Sequence, residues 1–152
     1  MVNSIQHSPQ GVAFTELVLE LFRLNGVLLA EGDRLGADIG LTSARWQVMG
    51  ALADAARTVP QIAREMGLTR QGAQRTVNVL LAEEFVELRL NPDHKRAKLV
   101  QLTDIGRGRL DEVSARQVRW ANAVSNGVTV ADLKTAARVA NTLRKALEAD
   151  DG

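Results

Sequence analysis

At 152 residues, with 45% apolar and 24% charged side chains, the chain has the size and composition of one soluble globular domain. It has no cysteine, which excludes disulfides, thiolate zinc sites, iron–sulfur clusters and thiol redox switches. The net charge is only +1, yet ten Lys or Arg and six Asp or Glu fall between Arg57 and Arg109, so a basic middle lies between acidic ends. That distribution suits a nucleic-acid face carried on a scaffold.

Residues 1–11 are polar and interrupted by Pro9 and Gly11, which predicts a flexible arm. From residue 12 to 37 apolar residues recur at helical spacing, with Leu17, Leu21, Leu24, Leu28 and Leu35 on one face. Phe14, Val18, Phe22 and Leu29 widen that stripe enough to contact more than one neighbour. Thr42 is placed to cap a second helix ending near Ala55, with Ala44, Val48, Met49 and Leu52 spaced for burial. Residues 57–60 allow only a minimal strand. Pro60 suits the start of a short helix that Gly67 ends, and Thr69 caps the next helix, whose buried edge is Ala73, Val77, Leu80 and Leu81.

The period then changes from 3.6 to 2. Val86-Glu87-Leu88-Arg89-Leu90 alternates, Asn91-Pro92-Asp93-His94 turns, and residues 99–102 return as a second strand. Thr103 caps a long helix reaching about Asn126, and Thr129 with Asp132 caps a last helix over residues 130–149. The fold class is therefore mainly α with a small β-hairpin, an α+β arrangement. No apolar run approaches the ~20 residues needed to cross a bilayer, and no signal peptide is visible, so a cytoplasmic protein without membrane contact is expected.

Two helices joined by Met66-Gly67-Leu68-Thr69, followed at once by a hairpin, form a winged helix-turn-helix. Its first helix presents N-terminal N–H groups near Pro60 and Gln61 to a DNA phosphate. The second leads into the major groove, and its exposed edge is Thr69, Arg70, Gln71, Gln74, Arg75 and Asn78. Arg matches guanine, and Gln or Asn matches adenine. No acidic residue occurs between Leu68 and Ala82 to repel phosphate. On the hairpin tip, His94, Lys95, Arg96 and Lys98 lie where a wing meets the backbone or a narrow, negative minor groove. Double-stranded DNA is the expected partner.

Taken together these residues resemble the MarR family of transcriptional regulators over roughly residues 12–149. The stretch Leu41-Thr42-Ser43-Ala44-Arg45-Trp46-Gln47-Val48-Met49 is similar to the opening of that family's second helix. Ile62-Ala63 through Leu68-Thr69-Arg70 is similar to its helix-turn-helix, and residues 96–106 to its wing-to-helix signature. The resemblance implies a single domain in which residues 42–103 form the DNA-binding lobe and residues 12–37 and 104–149 the dimerisation helices. It also implies a homodimer on a pseudo-palindromic operator, usually a repressor, released in many members by a small aromatic or anionic effector. Trp46 and Trp120 then fall near the crevice used by such effectors, and aromatic walls suit phenolic ligands. Two departures stand out. His94 occupies the place of an acid ahead of the wing arginine, and Glu84-Phe85 stands where Gly is favoured before the first wing strand.

No cofactor is expected. With only two histidines, His7 and His94, neither a catalytic triad nor a three-histidine metal site can be assembled, so an enzyme is not expected. The alternative is a winged helix used for protein contact alone. Acid on the recognition edge would favour it, and there is none.

Overall fold

The structure, a computed structural model, describes residues 6–149. The chain divides into two compact units, one ending at Val113 and the other beginning at Ser114.

In the first unit, α1 spans Pro9–Gly36. The Gly11 N–H donates to Ser8 Oγ at 3.0 Å, and Pro9 opens the helix with the φ it already prefers. The expected arm is therefore shorter: a capped start outweighs Gly11, residues 9–11 are helical, and residues 1–5 lie outside the described part. Only Gly32 and Gly36 of α1 are buried. After a 3-10 turn over Ala37–Ile39, α2 spans Ser43–Ala51 behind the Thr42 cap. Ser43 fastens α2 to α1: its N–H donates to Asp33 Oδ1 (2.6 Å) and its hydroxyl to the Leu29 carbonyl (2.5 Å). Helix α2 stops short of Ala55 because the Arg57 guanidinium takes the Ala51 carbonyl at 2.6 Å, closing the helix end.

Helix α3 (Val59–Met66) begins one residue ahead of Pro60, in a capping box. Gln61 N–H donates to Thr58 Oγ1, and the Gln61 side-chain oxygen accepts from Thr58 N–H. Gly67 then adopts φ +64°, where a side chain would be strained, and Leu68 N–H reaches back to the Ala63 carbonyl at 2.8 Å. Helix α4 (Arg70–Ala82) starts from Thr69, whose hydroxyl accepts from Gly72 N–H at 3.0 Å. It buries Ala73, Val77 and Leu80, and Leu81 packs half-buried on the same core.

Two reversed bonds end α4: Phe85 N–H to the Leu80 carbonyl (2.9 Å) and Glu84 N–H to the Leu81 carbonyl (3.1 Å). This is a Schellman turn, and it needs a left-handed residue. Glu84 supplies it at φ +60°, the only non-glycine residue with positive φ among the described residues. Thr103 braces the turn by donating its hydroxyl to the Glu84 carbonyl (2.6 Å) and its N–H to the Phe85 carbonyl (3.1 Å).

Strands β1 (Val86–Arg89) and β2 (Leu99–Leu102) pair antiparallel, Val86 opposite Leu102 and Arg89 opposite Leu99. Arg57 flanks β2 as a one-residue strand, exchanging two backbone bonds with Val100. Alternation puts Val86, Leu88 and Leu90 on one face, but only Val86 is buried, while Leu88 and Leu90 are exposed. Val48, Met49, Leu52, Ile62, Val77, Leu80 and Val100 form the core, joined by Leu110 and Val113 from the first turns of α5 (Asp104–Val124).

In the second unit, the rest of α5 passes through a 3-10 turn (Ser125–Gly127) into α6 (Val130–Ala149), which buries no residue. Thr129 opens α6, accepting from Asp132 N–H at 3.1 Å and donating to the Asp132 carboxylate at 2.7 Å.

Candidate nucleic-acid interface

Every residue expected to touch DNA lies on three adjoining elements of the first unit: the start of α3, the outer edge of α4, and the hairpin tip. Thr69, Arg70, Gln71, Gln74, Arg75 and Asn78 are all exposed along α4 and its cap, opposite the buried Ala73–Val77–Leu80 edge. His94, Lys95, Arg96 and Lys98 are exposed on the tip. A groove of about 330 Å³ separates wing from helices, its walls including Pro60, Gln74, Asn78, Leu88, Arg96 and Lys98.

The electrostatics sort the basic residues more sharply than their count does. Arg57 pairs with Asp54 (3.1 Å) and Glu65 (3.0 Å), and Arg45 with Glu83 (3.1 Å). Arg89 donates to Gln101, Arg107 to the Ala53 carbonyl, and Arg109 pairs with Glu112 at 4.0 Å. Arg64, Arg70, Arg75, Lys95, Arg96 and Lys98 have no side-chain hydrogen bond or ion pair among the described residues. These six are the unpaired cations of the first unit, and all sit on α3, α4 or the wing. In the second unit Arg119 of α5 and Lys134, Arg138 and Lys145 of α6 are also without a partner among the described residues. Meanwhile Glu65, Glu83 and Glu87 are held by Arg57, Arg45 and Gln101. Unpaired cations are strongly hydrated and cost nothing at rest, but they are free to neutralise phosphates. Arg64 is a residue the sequence reading missed. Its signal was the lack of any acid three or four positions away on its helix.

On α4 the Gln74 amide N–H donates to Asn78 Oδ1 at 2.9 Å. Gln74 is left with a carbonyl oxygen and Asn78 with amide hydrogens to offer, an acceptor beside donors, as the major-groove edge of adenine requires. Gln61 is less available than expected, since its side-chain oxygen is spent on the capping box and only its amide hydrogens remain. At the wing, Asn91 Oδ1 accepts from Asp93 N–H, and His94 Nδ1 accepts from both Arg96 N–H and Ala97 N–H.

The two tryptophans belong to different units. Trp46 is half-buried against the core of the lobe, and Trp120 is half-buried on α5. Among the described residues no three His, Asp or Glu gather as metal ligands, and no helix is long and apolar enough to cross a membrane.

These features define a winged helix-turn-helix DNA-binding protein. The MarR family pattern matches residues 39–97. The chain belongs to the MarR family of transcriptional regulators, whose members regulate transcription and are not enzymes. It is 42% identical over 118 residues to an uncharacterized protein of Mycobacterium tuberculosis, an alignment covering 78% of this chain and 82% of that one. Its fold is similar to a MarR/EmrR family transcriptional regulator from Acinetobacter, with a TM-score of 0.80 at 18% identity over 88% of this chain and 96% of that one. It is also similar to BpsR of Bordetella bronchiseptica, whose DNA binding is regulated by 6-hydroxynicotinic acid: TM-score 0.74 and 18% identity, over 85% and 98% of the two chains.

Proposed function

We propose that this chain is a homodimeric repressor that reads a pseudo-palindromic operator and lets go of it when a small aromatic or anionic effector binds. The observation that carries the DNA reading is the segregation of cations in the first unit: its six cations without partners among the described residues all lie on α3, α4 and the wing. Arg70, Gln71, Gln74, Arg75 and Asn78 read bases. Thr69, Lys95, Arg96, Lys98 and Arg64 hold phosphates, and the amide hydrogens of Gln61 add a contact at the start of α3. Selection of duplexes from a random library tests this. A recovered inverted repeat supports the reading, and enrichment of no sequence overturns it.

The dimer reading rests on uncovered apolar surface. Phe14, Leu17, Leu21, Phe22, Leu24, Val27 and Leu28 of α1 are exposed, as are Val130, Leu133 and Leu147 of α6. Patches of that size mark interfaces. A monomer in sedimentation at micromolar concentration would refute it. The effector reading draws on BpsR, a relative in fold whose DNA binding responds to a pyridine carboxylate. Trp46 and Trp120 are its reporters: aromatic acids should quench tryptophan fluorescence and weaken operator binding at the same concentrations.

A further inference from the structure

The tip of the wing has little to hold it. Between β1 and β2 the backbone makes one loop bond of its own, His94 N–H to the Asn91 carbonyl at 3.3 Å. The Arg96 and Ala97 N–H groups find no backbone acceptor and are taken instead by the His94 ring, at 3.3 and 3.1 Å to Nδ1. A nitrogen that accepts carries no proton, so in this conformation the imidazole is neutral with its hydrogen on Nε2. Cap and cation are mutually exclusive: a proton arriving at Nδ1 turns the acceptor into a donor aimed at two other donors.

We propose that His94 is a positioning residue for DNA binding: its neutral imidazole folds the wing tip and presents Arg96, and its protonation releases the tip. This rests on the reading of the wing as a DNA contact. Histidine is the side chain that ordinarily changes charge between about pH 5 and 8. The charged groups around it are Asp93, Lys95, Arg96 and Lys98 on the same loop. Across the groove from Arg96 and Lys98 lie Thr58, Pro60, Gln74 and Asn78, none of them titratable in that range. The sign of the effect separates this role from a phosphate contact. A His94 that merely touched phosphate would bind more tightly when charged and would steepen the salt dependence by about 0.9 in log–log slope. A His94 that caps weakens binding when charged, because Arg96 is no longer held, and does not steepen the slope.

The test measures affinity for the duplex that the protein itself selects, at pH 8.0 and about 5.8 and at several salt concentrations, for wild type, His94→Asn and His94→Ala. Wild type is expected to lose roughly fivefold on acidification, the scale of one or two neutral hydrogen bonds. His94→Asn, which keeps an acceptor oxygen and cannot titrate, should bind like wild type at pH 8.0 and lose less on acidification. His94→Ala should already be weak at pH 8.0. In the free protein, the amide resonances of Arg96 and Ala97 should titrate together with the His94 ring, and lose that titration in His94→Asn. Tighter, more salt-sensitive binding of wild type at low pH, or full affinity of His94→Ala at pH 8.0, overturns the proposal. If no duplex is selected at all, the DNA reading fails, and the amide titration still decides the cap.

Discussion

Glu84→Gly should make this protein more stable, although it removes a side chain. Glu84 sits at φ +60° in the turn that ends α4. A residue with a Cβ pays roughly 1–2 kcal/mol to be left-handed. Glycine escapes that cost, but its freer unfolded chain returns about 0.5–1 kcal/mol. Removing a carboxylate from the negative end of a helix adds a few tenths in favour. No hydrogen bond is sacrificed, since the Glu84 side chain is exposed and makes none among the described residues, while its backbone bonds to Leu81 and Thr103 stay. The net gain is about 0.5–1 kcal/mol, or roughly 1–4 °C in Tm for a chain of this length. Thermal melts followed by circular dichroism measure it, with Glu84→Ala beside it. Alanine removes the charge but keeps the strain, so it should melt within about a degree of wild type. If glycine melts no higher than alanine, the backbone is not strained there and the reasoning fails.

Arg70→Ala, Gln74→Ala and Arg75→Ala should each cost on the order of 1–3 kcal/mol on the selected operator and relax its sequence, as competition against point-mutated duplexes would show. Lys95→Ala and Lys98→Ala should weaken operator and random DNA alike, each lowering the salt slope by about 0.9. Gly106→Ala should cost on the order of 3 kcal/mol in chemical denaturation, because its Cβ would fall 1.9 Å from the Phe85 carbonyl oxygen, inside the turn that carries β1. With no cysteine in the chain, peroxide should cause no release from DNA that a thiol reductant reverses, measured by gel shift.

The helix order, the hairpin and the edge of α4 that faces solvent were legible because each is written locally, in apolar spacing and in caps such as Thr42, Thr69 and Thr129. What was not legible depended on partners distant in sequence. The end of α2 is set by Arg57 reaching back to Ala51, and Leu88 and Leu90 are exposed although their alternation with Val86 puts them on its buried face. The preference for Gly before β1 pointed to a special backbone there, and Glu84 does adopt it. Gln61 read as a phosphate contact because sequence shows a polar residue near a helix start, not that its oxygen is already spent on Thr58. His94 read as one more positive tip residue, and only the turn geometry shows that its lone pair is in use.

Charge illustrates the same division in numbers. From sequence, the segment from Arg57 to Arg109 carries a modest excess of basic residues, too small to decide anything. In the folded lobe Arg45, Arg57 and Arg109 hold acids in ion pairs away from the recognition edge, which leaves Arg64, Arg70, Arg75, Lys95, Arg96 and Lys98 as a front without counter-charges among the described residues. The near-zero net charge is thus compatible with a strongly salt-dependent DNA contact. If Arg70 and Arg75 are spent on bases, the other four cations set a slope near −3.6 per lobe at about 0.9 per phosphate. A measured slope near −1 would mean that most of those cations stay in water, and the segregation would then have a different purpose.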